Sequence, residues 1–311
     1  MTQPNSNIGQ IQAVSRRFFL PRLADNVFLG NPMLRRSKTQ GWERKADGGE
    51  KVIIPLEYAE IGNSDWYSGA DTLNVSDSDT FTAAELDWKQ LYAPITISRR
   101  DELKNMGKAQ VVDFVKGKMK NAEKTMKKKL SVGIYSDGTT DASSIIGFRS
   151  WIGTASSPGG ISQSTNSWYQ GQVDSTTTTL TISAMQTLYN LASEDDEQPT
   201  VGVTTKSIFN SYYALLQPQQ RFTDGDTAKG GFKSLMFNGI PILSDSNVPA
   251  SHLVLPNENH LHLIVHNDEN MRMTDFDEPI NQNVKVAKVY WMGVLGSSNN
   301  RYHAMATALT A

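Results

Sequence analysis

The chain of 311 residues is 38% apolar and 20% charged, has a formal net charge of −2 and contains no cysteine. That length accommodates one large domain or two ordinary ones with a modest core. The absence of cysteine excludes disulfides, thiolate metal sites and cysteine nucleophiles. No apolar stretch reaches the length of a membrane span. The opening MTQPNSNIGQIQAVSRRFF lacks the order of a signal peptide, so cytoplasmic synthesis is expected.

The near-neutral total hides strong segregation of charge. Residues 1–48 hold eight basic side chains (Arg16, Arg17, Arg22, Arg35, Arg36, Lys38, Arg44, Lys45) against three acids. Residues 52–88 contain no Lys or Arg and eight acids: Glu57, Glu60, Asp65, Asp71, Asp77, Asp79, Glu85 and Asp87. Residues 99–129 reverse the sign, with eleven basic residues against four acids. Blocks of this kind point to partners.

Two strands are expected over residues 49–98, joined by a long polar excursion. One is Lys51–Tyr58 and the other Ala84–Ser98, with Pro55 and Pro94 marking poorly paired edges. The tip, Gly62–Gly69, is polar except for Trp66 and Tyr67. Such an arm cannot hold itself up in water and must lie on something. Local packing would account for the aromatic pair, but an exposed pair on an extended loop more often anchors in a partner.

The spacing of Leu103, Met106, Val112, Val115, Met119, Ala122, Met126, Leu130 and Ile134 predicts a helix over residues 99–135. It would span roughly 55 Å, with Ser98 as cap, Asp101 and Glu102 in its first turn, and Asp137-Gly138 at its end. Lys116, Lys120, Lys124 and Lys127 form a stripe on it, broadened by Lys118, Lys128 and Lys129. The stripe is either an ordinary solvated face or a contact for phosphates or an acidic protein surface.

Residues 138–180 are rich in Ser, Thr and Gly, and are pinned to a core by Phe148, Trp151, Ile152, Trp168 and Tyr169. An α/β pattern follows: a helix over Ile182–Leu191, a strand over Pro199–Thr204, and a helix capped by Thr204 or Thr205 and ending at Leu216. Leu235-Met-Phe, Asn238-Gly239 and Ile240-Pro-Ile-Leu243 form a hairpin signal. Strands are then expected over Leu253–Leu255, Leu261–His266, Val284–Val289 and Arg301–Leu309.

No phosphate-binding loop, dinucleotide fingerprint, His-Glu-x-x-His or nucleophile elbow is present. His260, His262 and His266 share strand parity, yet the outer two would lie about 20 Å apart, too far for one ion. They read as strand residues at a polar interface. Glu194–Glu197 reads as a solvated turn. Asp268, Glu269, Asp275, Asp277 and Glu278 read as a charged loop.

These parts, in this order, resemble a major capsid protein of a tailed bacteriophage, with an α+β Hong Kong 97-type capsid fold. The features that carry the resemblance are Val27-Phe-Leu-Gly-Asn-Pro-Met-Leu-Arg-Arg36, Ile146-Gly-Phe-Arg-Ser-Trp-Ile152, Gly159-Gly-Ile-Ser-Gln-Ser-Thr-Asn-Ser-Trp168, Val289–Leu295 and Asn300-Arg-Tyr302. The resemblance implies an N-terminal arm (1–48), an extended two-stranded loop (49–98) and a peripheral domain (99–180) with a spine helix (99–136). It further implies an axial domain (181–257), with Asn238-Gly239 as a turn in a wedge near the capsomer centre, and return strands (258–311).

The implied role is structural and non-enzymatic, without a cofactor: self-assembly into hexamers and pentamers of an icosahedral phage head around double-stranded DNA. Asp65, Trp66, Tyr67, Asp71, Asp77 and Asp79 would contact a neighbouring subunit. Lys116, Lys118, Lys120, Lys124, Lys127 and Lys128 would face a neighbour or DNA. Implied partners are a portal, a separate scaffolding protein or none, and in some members of the family a decoration protein, with no membrane, in a virion made in the bacterial cytoplasm. The family also has members that crosslink a loop lysine to an asparagine, and residues 52–88 hold no lysine for it. Some members carry a scaffolding segment before the arm, whereas here the arm begins almost at Met1. An encapsulin-like compartment shell is the alternative.

Overall fold

The computed structural model describes residues 31–77, 79–100, 108–139, 141–216 and 235–310, with side chains throughout except over 108–115. Arg16, Arg17, Arg22 and the Val27–Gly30 part of the arm motif lie outside the described residues, as do Asp101 and Glu102.

Asn31-Pro32 starts the first helix, α1 (Pro32–Gln40). Asn31 caps it, its Oδ1 accepting from the N–H groups of Met33 (2.8 Å) and Leu34 (3.2 Å), and proline fills the first position, where its missing N–H costs nothing. The same side chain donates through Nδ2 to the buried Asp245 carboxylate (2.6 Å). Asp245 also accepts from the Tyr135 hydroxyl (3.0 Å) and from the Asn247 amide (2.9 Å). Burial and the adjacent Asp245 charge hold the Tyr135 phenol well above its ordinary pKa, so it stays a donor.

After α1 come β1 (Glu43–Ala46), β2 (Lys51–Glu57), β3 (Phe81–Asp87) and β4 (Lys89–Ser98). The expected strand over Ala84–Ser98 is therefore two strands. It breaks at Trp88, whose indole N–H bonds the Gly49 carbonyl (2.9 Å) where the chain leaves one sheet for another. The long helix α2 (Lys108–Ile134) ends before Asp137-Gly138, because tight i→i+3 bonds from Tyr135 and Ser136 take its last carbonyls. Arg99 and Arg100 are also helical, and Ser98 is the last residue of β4.

Next are a short helix, α3 (Phe148–Trp151), then β5 (Gln172–Asp174), β6 (Thr178–Thr179), α4 (Ile182–Leu191), β7 (Gly202–Thr204) and α5 (Lys206–Leu216). The chain closes with β8 (Leu235–Phe237), β9 (Ile240–Ser244), β10 (Leu253–Leu255), β11 (Leu261–Met273), β12 (Val284–Ser297), β13 (Ala304–Ala306) and β14 (Leu309–Thr310). Asp268 and Glu269, expected in a loop, lie within β11. The strand accommodates them by shifting register after Val265, with Met271 at φ 57°.

Two larger sheets organise the chain. The first has the order β1-β11-β12-β4, with β1 parallel to β11 and the rest antiparallel. Pro94 sits on its edge strand opposite Lys288, where a missing donor is tolerated. Met119, Ala122, Met126, Leu130 and Ile134 of α2 share a core with Ala93, Ile95, Ile97, Ala287, Val289 and Trp291 of β4 and β12. The second sheet has the order β5-β13-β10-β7-β9-β8, and its core includes Met185, Leu188 and Tyr189 of α4 and Ile208 and Tyr212 of α5. This sheet draws β5 and β13 from outside residues 181–257, because the fully buried β10 pairs on both edges.

The β2–β3 hairpin alternates buried and exposed residues along β2. Val52, Ile54, Leu56, Ala84 and Leu86 pack on Trp151, Tyr169 and Val294 of the same chain. That seat is stiffened by polar contacts. Trp151 donates to the Leu295 carbonyl (3.1 Å), and the fully buried Gln163 amide donates to the carbonyls of Ser150 (3.1 Å) and Trp151 (2.9 Å). Tyr169 donates to the Pro158 carbonyl (3.1 Å).

Glu258 ties α1 to the junction between the sheets. It is 5% exposed and receives Arg36 Nε at 2.8 Å and Nη2 at 2.5 Å, the Trp42 indole N–H at 3.3 Å and the Thr200 hydroxyl at 3.2 Å. A bidentate pair of this kind is strong because neither charge is left bare.

Two substitutions test these contacts. A Cβ at Gly296 would lie 2.2 Å from Ile54 Cδ1. Gly296→Val is expected to lower unfolding free energy by about 1–3 kcal/mol and to speed proteolysis within residues 58–80. Urea titration and timed proteolysis read both. Glu258→Ala strands Arg36 and is expected to cost about 3 kcal/mol in the same titration.

Candidate assembly surfaces

The hairpin's root is seated, but its tip is not. Tyr58 N–H bonds the Thr80 carbonyl (3.0 Å), and the chain between them is laced by polar contacts. Asn63 Nδ2 donates to Ser76 Oγ (2.9 Å), Ser68 N–H to the Asp71 carboxylate (2.8 Å) and Trp66 N–H to the Asp65 carboxylate (2.8 Å). These bonds occupy backbone donors and leave the apolar side chains outward. Trp66 is 100% exposed and Val75 89%, with Ile61, Tyr67 and Leu73 also exposed. Local packing therefore does not explain the aromatic pair. All eight acids of the segment, including Asp65, Asp71, Asp77 and Asp79, are exposed.

Along residues 116–134 of α2, Met119, Ala122, Met126, Leu130 and Ile134 face the sheet and the lysines face away. Lys116, Lys118, Lys120, Lys124 and Lys128 are exposed and Lys127 is half-buried. Beside that surface a groove of about 610 Å³ runs between β4 and α2. Its apolar lining includes Leu91, Tyr92, Pro94, Val132 and Trp291, and Lys89 and Lys129 also line it. Tyr92 and Val132 are large apolar side chains left exposed. The chain thus presents an acidic, aromatic projection and an apolar-lined groove, with Lys89, Lys129 and Asp141 in its lining, beside the lysines of α2.

Asn238-Gly239 forms the expected turn between β8 and β9. Both residues have positive φ (46° and 81°), the geometry that suits a two-residue hairpin and that glycine adopts without strain. The turn is exposed and is fixed to α4 by Asn238 Nδ2 donating to Gln186 Oε1 (2.9 Å).

The histidines do not converge as one strand face. His260 precedes β11 in a single turn of 3-10 helix, His262 is buried on β11, and His266 packs edge-on to Trp88 with ring centres 5.7 Å apart. No group of His, Asp or Glu among the described residues could hold a metal ion. Glu194 and Glu197 bridge across a tight turn with Asp195 at φ 51°. Among the described residues no helix is long and apolar enough to cross a membrane.

Sequence reasoning missed Asp245, Glu258 and His303, the buried polar centres. Their partners lie far along the chain, Arg36 222 positions from Glu258, so no local spacing announces them. The one local signal was Asn31-Pro32, a cap followed by a helix-starting proline.

No family model matches the sequence. No curated protein matches it either. Solved structures do. The cyanophage A-1(L) capsid asymmetric unit aligns at a TM-score of 0.64 with 16% identity, over 87% of this chain and 91% of that one. The capsid of Myoviridae phage XM1 aligns at 0.56 with 14% identity, over 88% and 92%. The SrpI encapsulin of Synechococcus elongatus PCC 7942 aligns at 0.54 with 9% identity, over 86% and 84%. The chain has the mixed α+β fold of these capsid and encapsulin shell proteins.

Proposed function

We propose that the protein is a major capsid protein of a tailed phage, with a Hong Kong 97-type fold, that assembles into the hexamers and pentamers of an icosahedral head. The observation that carries this reading is the capsid fold over most of the chain. The exposed arm tip, an apolar and acidic projection with no place on its own subunit, adds to it. In this reading the β2–β3 hairpin is the extended loop, α2 the spine helix, and the six-stranded sheet the axial domain with Asn238-Gly239 at a capsomer-facing turn.

The arm tip of one subunit reaches the α2 surface of its neighbour. Trp66 and Tyr67 provide desolvated contact in the groove beside Tyr92 and Val132. Asp65, Asp71, Asp77 and Asp79 steer toward Lys116, Lys118, Lys120, Lys124, Lys127 and Lys128. Lysines not covered by a neighbour face packaged double-stranded DNA, which needs only a positive surface for non-specific contact. A portal, a separate scaffolding protein and a decoration protein complete the expected partners, and the virion is the expected location. The protein acts by assembly and not by catalysis.

The alternative of an encapsulin-like compartment has support in the SrpI likeness. Electron microscopy of purified protein decides first: closed shells are expected, and a persistent monomer at micromolar concentration would overturn both readings. Shells that form only as small, uniform particles around a protein cargo favour the compartment.

Reversing Lys116, Lys120 and Lys124 to Glu tests the electrostatic contact. Light scattering should show assembly slowed at least tenfold at 50 mM salt, with much of the difference gone at 500 mM. Equal rates at both salts would leave the steering idea without support.

A further inference from the structure

Two short crossings connect the sheets late in the chain. Residues 256–260 lead from β10 to β11, and residues 298–303 lead from β12 back to β13. The crossings are stapled together by histidines. His303, fully buried on the second crossing, accepts the Asn257 backbone N–H of the first at Nδ1 (2.9 Å), and its Nε2 meets Ser297 Oγ at 3.0 Å. His260, on the first crossing, lies against Tyr302 of the second with ring centres 5.0 Å apart, and its Nδ1 meets Ser298 Oγ at 3.1 Å. Ser298 N–H bonds the His260 carbonyl (2.9 Å). His262 is buried where β11 begins.

The geometry fixes a protonation state. A backbone N–H can only donate, so Nδ1 of His303 must be bare to receive it, and its single proton sits on Nε2 toward Ser297. A second proton at Nδ1 would set donor against donor in a site without water access. We propose that this junction is a proton-operated latch: the two crossings are held together while His303 is neutral, and acid releases them. The proposal concerns one chain and does not rest on the shell reading.

The surrounding charges do not rescue the charged form. Burial is the first cause holding His303 down, to about 3, with His260 and His262 adding to it. Burial likewise lowers His262 to about 4, helped by Arg44 of β1 and by His260, and partly offset by the Leu261 backbone. Burial lowers His260 too, against the pull of Glu197. Glu197 lies 3.6 Å from His260 Nε2 and also accepts from Asn257 Nδ2 (2.5 Å). Of the other nearby charges, Glu194 is paired with Arg301, Glu258 with Arg36, and Asp195 lies in the turn facing Tyr302.

The sign follows from linkage. Histidines freed by opening titrate at their ordinary 6.5, whereas the locked ones titrate well below it. The lock is therefore complete above pH 6.5 and weakens as pH falls toward the locked values. A histidine titrating at 6.5 when freed contributes at most about 16-fold between pH 6.5 and 5.0, so two give at most roughly 250-fold. Free carboxylates remain ionised in that interval.

Amide hydrogen exchange of the full-length chain at pH 7.0 and 5.0, corrected for the intrinsic pH dependence, tests this. Protection over residues 256–261 and 297–304 should fall by roughly one to two orders of magnitude, while that of residues 119–134 stays constant. Unchanged protection at both crossings would overturn the proposal. His303→Asn keeps an acceptor near Nδ1 but cannot titrate, and should cut the loss by at least tenfold. An undiminished loss in a folded H303N chain would also overturn it. If H303N does not fold, the wild-type exchange profile alone decides.

Discussion

The fold depends on one buried carboxylate. Among the described residues no cation pairs with Asp245, which is held by neutral donors: the Asn31 amide, the Tyr135 hydroxyl, and the backbone and side-chain amides of Asn247. Those donors come from the cap of α1, the end of α2 and the segment leaving β9. A charge removed from water demands every one of them, because an unfilled lone pair in a low dielectric is expensive. The three segments are thereby brought to a common point. The sheet packed under α2, the second sheet and the start of the described chain take their relation from it.

Charge segregation is the second organising fact. The acids of the β2–β3 arm and the lysines of α2 are both exposed, on a chain with almost no net charge. In the proposed assembly, two copies would attract at these faces without general repulsion, and ionic strength would control the encounter more than the final contact. Apolar area would decide the latter, and exposed apolar side chains lie where the charges are: Trp66 and Val75 on the arm, Tyr92 and Val132 beside α2.

Local elements were legible in the sequence where period and turn chemistry agree. The helix over Ile182–Leu191 matched residue for residue, Thr205 at the start of α5 offers its hydroxyl to Ile208 N–H, and Asn238-Gly239 made its hairpin. The long helix was legible from its methionines and leucines. What was not legible depends on distant pairing. A continuous strand through Trp88 has good alternation, yet β3 and β4 have different partners, and only the positions of β2 and β12 decide that. The candidate surfaces were half visible: the residue types were plain, but exposure of Trp66 and the groove beside Tyr92 are properties of the packed chain. The histidine junction was hidden because His303 belongs to a loop 46 positions from Asn257.

The seat under the β2–β3 hairpin has a mechanical consequence. Its root is clamped by an apolar face on Trp151, Tyr169 and Val294, while the described residues between Tyr58 and Thr80 are joined by polar bonds that water can replace. Bending is thus confined to a distal stretch, and its base acts as a fixed fulcrum. In the proposed shell, a copy of the chain would meet neighbours at unequal angles by reshaping that stretch alone, without disturbing either sheet.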